Sequence, residues 1–86
     1  MSKSKSREAI RTQVALHLKV IRQKRGLSMT ELANKSGLSR AMISFIESEF
    51  RNPTLDTLLR VCEALNVDLA DVVKKSSKAA SQNPNA

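Results

Sequence analysis

The chain has 86 residues, 41% hydrophobic and 2% aromatic, and carries 15 Lys+Arg against 8 Asp+Glu, a formal net charge of +7. That length holds one small domain, and the apolar share is too high for a disordered chain. Two glycines, two prolines, one cysteine and one histidine argue against a β-sandwich, a disulfide framework, a metal centre and most nucleophile–base sets.

No apolar run approaches the ~20 residues that a membrane helix needs. Residues 1–25 hold scattered single apolar side chains, not the continuous stretch of a secretory signal. A single cysteine fits a reducing compartment, so the expected location is cytoplasmic. Residues 1–25 hold eight basic groups and one acid, residues 26–73 four basic groups and seven acids, and residues 74–86 three lysines. The positive excess therefore sits at both ends. A basic small domain has a polyanion as its default partner, because phosphate contacts release counterions. A solvated basic face is the alternative.

Residues 1–6 are small and polar and read as a flexible basic arm. The first helix is predicted from Arg7 to Arg25, with Ile10, Val14, Leu18 and Ile21 as its apolar stripe. Leu16 and Val20 widen the stripe toward a flank. His17 lies beside the stripe and reads as a packed or half-exposed histidine, since no second metal ligand accompanies it. Gly26 stops this helix after Arg22, Lys24 and Arg25, whose charge suits a helix C-terminus.

Ser28 and Glu31 form a capping box for a second helix, Met29 to Ser36, with Leu27 placed to staple onto Leu32. Gly37 ends it in the left-handed conformation. Ser39 caps a third helix, Arg40 to about Ser48. Ile43, Ile46 and Glu47 share one side of it; Arg40, Ala41, Ser44 and Phe45 share the other. Asn52-Pro53 then forces extended chain.

Thr54 caps a fourth helix whose apolar side is Leu55, Leu58, Leu59, Cys62 and Leu65, and Asn66 is its left-handed stop. Cys62 reads as a small buried hydrophobe. Asp68 caps a fifth helix, Leu69 to about Lys75, where Leu69, Val72 and Val73 serve either the core or a dimer seam. Residues 76–86 show no apolar periodicity and read as a disordered tail. The organisation expected is therefore an arm at 1–6, a domain at 7–75 and a tail at 76–86.

Two short helices joined by a glycine turn, the second with small and polar residues outward, form a helix-turn-helix. A helix enters the major groove only if its outer face is uncrowded and can bond base edges. The helix before it offers its free N-terminal amides to a phosphate.

The ordered set Leu18, Ile21 and Arg22, Gly26-Leu27-Ser28, Glu31-Leu32-Ala33, Gly37-Leu38-Ser39, Ile43-Ser44, Ile46-Glu47, Asn52-Pro53 and Leu55 through Leu65 resembles the Cro/repressor-type helix-turn-helix domains, the XRE family. The resemblance covers Leu18 to Val73. It implies an all-α, compact five-helix, lambda-repressor-like domain. It implies that Ala33 sits where the two short helices cross, and that Arg22 and Glu47 form a buried ion pair fixing the angle of the recognition helix. Arg40, Ala41, Ser44 and Phe45, with Ser39 before them, match the base-reading positions. There Arg40 grips either a guanine or a phosphate, Ser44 a base or a water, and Ala41 and Phe45 the thymine methyl groups; Phe45 alternatively shields the core edge. Ser28, Met29 and Thr30 match the phosphate-facing helix start, although many relatives carry Gln where Met29 stands. Arg51 and Asn52 match a loop that touches phosphate. Ser48-Glu49-Phe50 departs from the glycine common there, and Glu49 repels phosphate unless turned away. The Lys3–Arg11 segment exceeds what the family fold needs and is either an extension that reaches DNA or a solubilising terminus.

The function so implied is a sequence-specific transcription regulator acting as a homodimer on a palindromic operator. Its partner is double-stranded DNA, with no membrane, no metal, no cofactor and no catalysis. Two alternatives stand beside it. One is the antitoxin of a toxin–antitoxin pair, whose main partner is a protein. The other is an interaction module that kept the fold without base readout. Toxin or polymerase is the protein partner to consider.

Overall fold

The computed structural model describes residues 3–48 and 52–82. It contains five helices: α1 Lys3–Lys24, α2 Met29–Ser36, α3 Arg40–Ser48, α4 Leu55–Leu65 and α5 Leu69–Gln82. No strand occurs among the described residues. Glu49, Phe50 and Arg51 lie outside them, and with them the phosphate contact expected of Arg51.

The short helices begin and end where local chemistry places their caps. Ser28 Oγ accepts from the Glu31 N–H at 3.0 Å, and the Ser28 N–H donates to Glu31 Oε1 at 2.9 Å. Gly37 closes α2 at φ +72°, donating its N–H to the Ala33 carbonyl. The next cap follows at once, with Ser39 Oγ accepting from the Met42 N–H at 3.0 Å. Thr54 opens α4 in the same way, and Asn66 ends it at φ 58°. Asp68 Oδ1 accepts from the Ala70 N–H at 2.9 Å at the start of α5.

Leu18, Leu32, Ala33, Ile43, Ile46, Val61, Cys62, Leu65 and Val72 make the core. Burial pushes the Cys62 thiol up from its ordinary value. Two apolar faces differ from expectation. On α4 the buried side is Val61, Cys62 and Leu65, while Leu55 and Leu59 stay 65% and 45% exposed. Leu55 stands at the first residue of α4, and neither it nor Leu59 is among the residues packed against the core. On α1 the buried line is Ala15, Leu18 and Arg22, with Val14 and Ile21 half-buried beside it and Leu16 open to solvent.

The ends of the chain differ from expectation too. Residues 3–6, expected in a flexible arm, belong to α1. Residues 76–82, expected in a disordered tail, continue α5. Ser76 is fully buried and Ala80 is buried too. Packing between α1 and α5 is the most extensive in the molecule. On the α5 side the buried residues are Val72, Ser76 and Ala80. The buried Ser76 hydroxyl donates to the Val72 carbonyl at 2.7 Å. Its oxygen lies 2.9 Å from His17 Nδ1. The single hydroxyl proton goes to Val72, so His17 Nδ1 donates to Ser76. His17 is thus half-buried and acts as a strut between α1 and α5. Of the α5 cluster, Val72 is in the core, Leu69 packs against it, and Val73 is exposed.

Candidate nucleic-acid interface

The site is built on α3. Ile43 and Ile46 are buried, which turns the opposite side of the helix outward. On that side Arg40 and Ala41 are exposed, and Ser44 and Phe45 are half-buried. The outward side chains at the helix start are thus a guanidinium and a methyl group, with a hydroxyl one turn on. Such a surface is low enough to enter a groove and able to bond base edges. Ser39 is exposed, and its oxygen caps α3, while its hydroxyl proton remains able to donate.

The rod is held at one end by an ion pair. Arg22 Nε donates to Glu47 Oε2 at 2.7 Å and Nη2 to Oε1 at 3.0 Å, a bidentate pair whose side chains are only 10% and 5% exposed. Arg22 Nη1 also donates to the Leu27 carbonyl at 2.7 Å. One guanidinium therefore ties α1, the α1–α2 turn and α3 together. The hydrogen bond to Glu47 raises the Arg22 pKa against the opposing effect of burial. The planar fork suits this place; a lysine ammonium cannot make both parallel bonds.

α2 supplies the second surface. Its capping box occupies the amides of Ser28 and Glu31. The N–H groups of Met29 and Thr30 come at the helix start, where a helix has no carbonyl of its own to give them. They are the donors offered to an outside anion. Thr30 is exposed, whereas the Met29 side chain packs against the core. Met29 therefore contributes its backbone alone, and the thioether replaces no polar contact.

Asn52 is exposed on the loop after α3 and accepts through Oδ1 from Arg11 Nη1 on α1. Sequence reasoning placed Asn52 at the interface and Arg11 in the basic segment, but it did not pair them. No local pattern signals a contact between residues 41 apart. The His17–Ser76 strut escaped notice for the same reason, spanning 59 residues.

Comparisons with known proteins agree with this geometry. A family model described as Helix-turn-helix matches residues 18–72. The HTH-type transcriptional regulator SutR of Escherichia coli (strain K12) is 37% identical over 62 residues, covering 72% of this chain and 35% of the regulator. The chain thus spans about a third of that relative's length. Antitoxin HipB of Escherichia coli O6:H1 is 36% identical over 73 residues, covering 83% of this chain and 78% of the antitoxin. Among solved structures, the wild-type restriction–modification controller protein C.Esp1396I superposes with a TM-score of 0.76 at 30% identity, over 86% of this chain and 96% of the controller. A variant of that controller has been solved bound to its highest-affinity operator site.

Proposed function

Since the chain belongs to the XRE-type helix-turn-helix family of DNA-binding transcription regulators, we propose that it reads a palindromic operator as a dimer, one α3 per half-site. The half-sites lie about 34 Å apart, one turn of B-DNA. In each, Arg40, Ala41, Ser44 and Phe45 face base edges, and the amides of Met29 and Thr30 hold a phosphate. Regulation follows from occupancy of the promoter, which blocks or recruits polymerase without any catalysed step. One observation carries this reading: the exposed Arg40–Ala41–Ser44 face on a helix clamped by the bidentate Arg22–Glu47 pair. The test is selection of bound sequences from a random duplex pool. A two-fold symmetric motif is expected. Arg40→Ala then weakens binding by about 1–3 kcal/mol and relaxes preference at one position per half-site. A pool that enriches no motif, or an Arg40→Ala variant with unchanged preference, overturns it.

A second reading is favoured by one observation, the match to HipB over most of that antitoxin's length. In that reading the chain also binds a toxin protein. A second chain that purifies with it in fixed ratio supports this reading; a lone homodimer argues against it.

A further inference from the structure

Resting on the DNA-binding reading, we propose that the N-terminal half of α1 carries an additional seat for a duplex backbone phosphate, formed by Arg7, Arg11 and Asn52. The family model begins at residue 18, leaving residues 3–17 of α1 outside the match. Among residues 7–13 no side chain is fully buried, so this stretch contributes little to the core.

Arg7 and Arg11 stand one helical turn apart, on the same face, and both are exposed. The two arginines line one cleft together with Asn52 and Glu8. Asn52 comes four residues after Ser48 ends α3, so the cleft borders the loop leaving the recognition helix.

The Arg11–Asn52 hydrogen bond sets the chemistry of this cleft. It takes up the amide oxygen of Asn52, which leaves the Asn52 NH2 group as the outward function. A guanidinium has no acceptor at all. Among the described residues the cleft thus presents N–H donors and positive charge beside the Glu8 carboxylate. A phosphodiester matches it: anionic, acceptor-only, and present at regular intervals beside any α3 in a major groove. The bond also holds Arg11 against the loop that follows α3. A phosphate held there fixes the register of α3 and carries no sequence information.

The experiment is a salt titration of binding to the selected operator and to a random duplex of equal length. It compares wild type, Arg11→Gln and Arg7→Gln/Arg11→Gln. Each lost phosphate contact lowers the log–log salt slope by about 0.9. The dimer carries two seats and each holds one phosphate, so the expected results are a slope smaller by about two for the double variant and by less than that for Arg11→Gln alone. The loss should be the same on both duplexes, and the selected motif should not change. Thermal unfolding of each variant shows whether it remains folded, and Arg11→Lys keeps the charge should Arg11→Gln fail to fold. A double variant with the wild-type slope overturns the proposal, even if affinity falls, because Arg11 then only positions the loop. Loss of a co-purifying chain at unchanged slope also overturns it, placing an acidic protein surface at the cleft. A wild type that binds no duplex overturns the DNA-binding reading as well, so the two failures are distinguishable.

Discussion

The α2–α3 hairpin and the α1–α5 pair are both helical and antagonistic in how they are specified. The hairpin is written in local signals. Ser28, Glu31, Gly37 and Ser39 lie within a dozen residues, and each satisfies a backbone group or a left-handed turn near its own position. The α1–α5 pair has few such marks. It is held by buried side chains, Leu18 on α1 and Val72, Ser76 and Ala80 on α5 among them, and by the His17–Ser76 hydrogen bond. The hairpin therefore presents a surface of fixed shape, whereas the pair is a scaffold whose limits depend on having the other helix to lean on.

The largest expected effect breaks the link between the two regions. Glu47→Ala leaves the Arg22 charge buried without its partner and should destabilise the fold by about 3–5 kcal/mol, read from urea unfolding. Replacing both residues with well-packed apolar ones should recover most of that loss, since two desolvated charges are then removed together. A Glu47→Ala variant within about 1 kcal/mol of wild type would show the pair to behave as a surface bridge.

The next effect addresses the scaffold alone. Ser76→Leu forces extra volume into a fully buried site and should cost about 1–3 kcal/mol. A tail without structure would accept leucine at no cost, so an unchanged melting temperature would remove Ser76 from the packing. In the hairpin, Gly37→Ala should cost about 1 kcal/mol. Its φ of +72° is the reason, because an added Cβ would meet nothing closer than 3.6 Å.

The smallest effect is a pH dependence. The Glu31 carboxyl is held below its ordinary range by the Ser28 backbone N–H first and the Ser28 hydroxyl second. Its folded value is therefore lower than its unfolded value. The capping contribution is present above the unfolded range and is lost as pH falls through the folded one. Wild type should be more stable than Glu31→Gln at about pH 7, and that lead should narrow by about pH 3. A constant difference across the range would mean that the carboxylate charge plays no part in the cap.

Much of the site was legible beforehand. Arg40, Ala41 and Ser44 follow from the alternation of Ile43 and Ile46 on a capped helix, and the resemblance brought Arg22 to Glu47. The third bond of Arg22, to the Leu27 carbonyl, was not legible, because a backbone acceptor leaves no mark in residue type. Met29 stands at the start of α2, and its side chain turns to the core. Leu55 and Leu59 belong to the apolar side of α4 yet stay exposed, since an apolar residue on a helix says nothing about whether a neighbour covers it. Residues 76–82 were read as a tail because Ser76, Ala79 and Ala80 do not register as an apolar stripe. Yet they continue the helical spacing of Leu69 and Val72. A serine that bonds back to the carbonyl one turn before it can be buried at little cost.

The residues alone determined where α2 and α4 start and stop, where α3 starts, and which side of α3 faces out. Those outcomes depend on capping groups and turn conformations a few residues away. Only the tertiary structure decided how far α1 and α5 run, which leucines of α4 are covered, and that Arg11 meets Asn52. Those depend on surfaces supplied by distant parts of the chain, and short-range propensity carries no information about a partner 41 or 59 residues away.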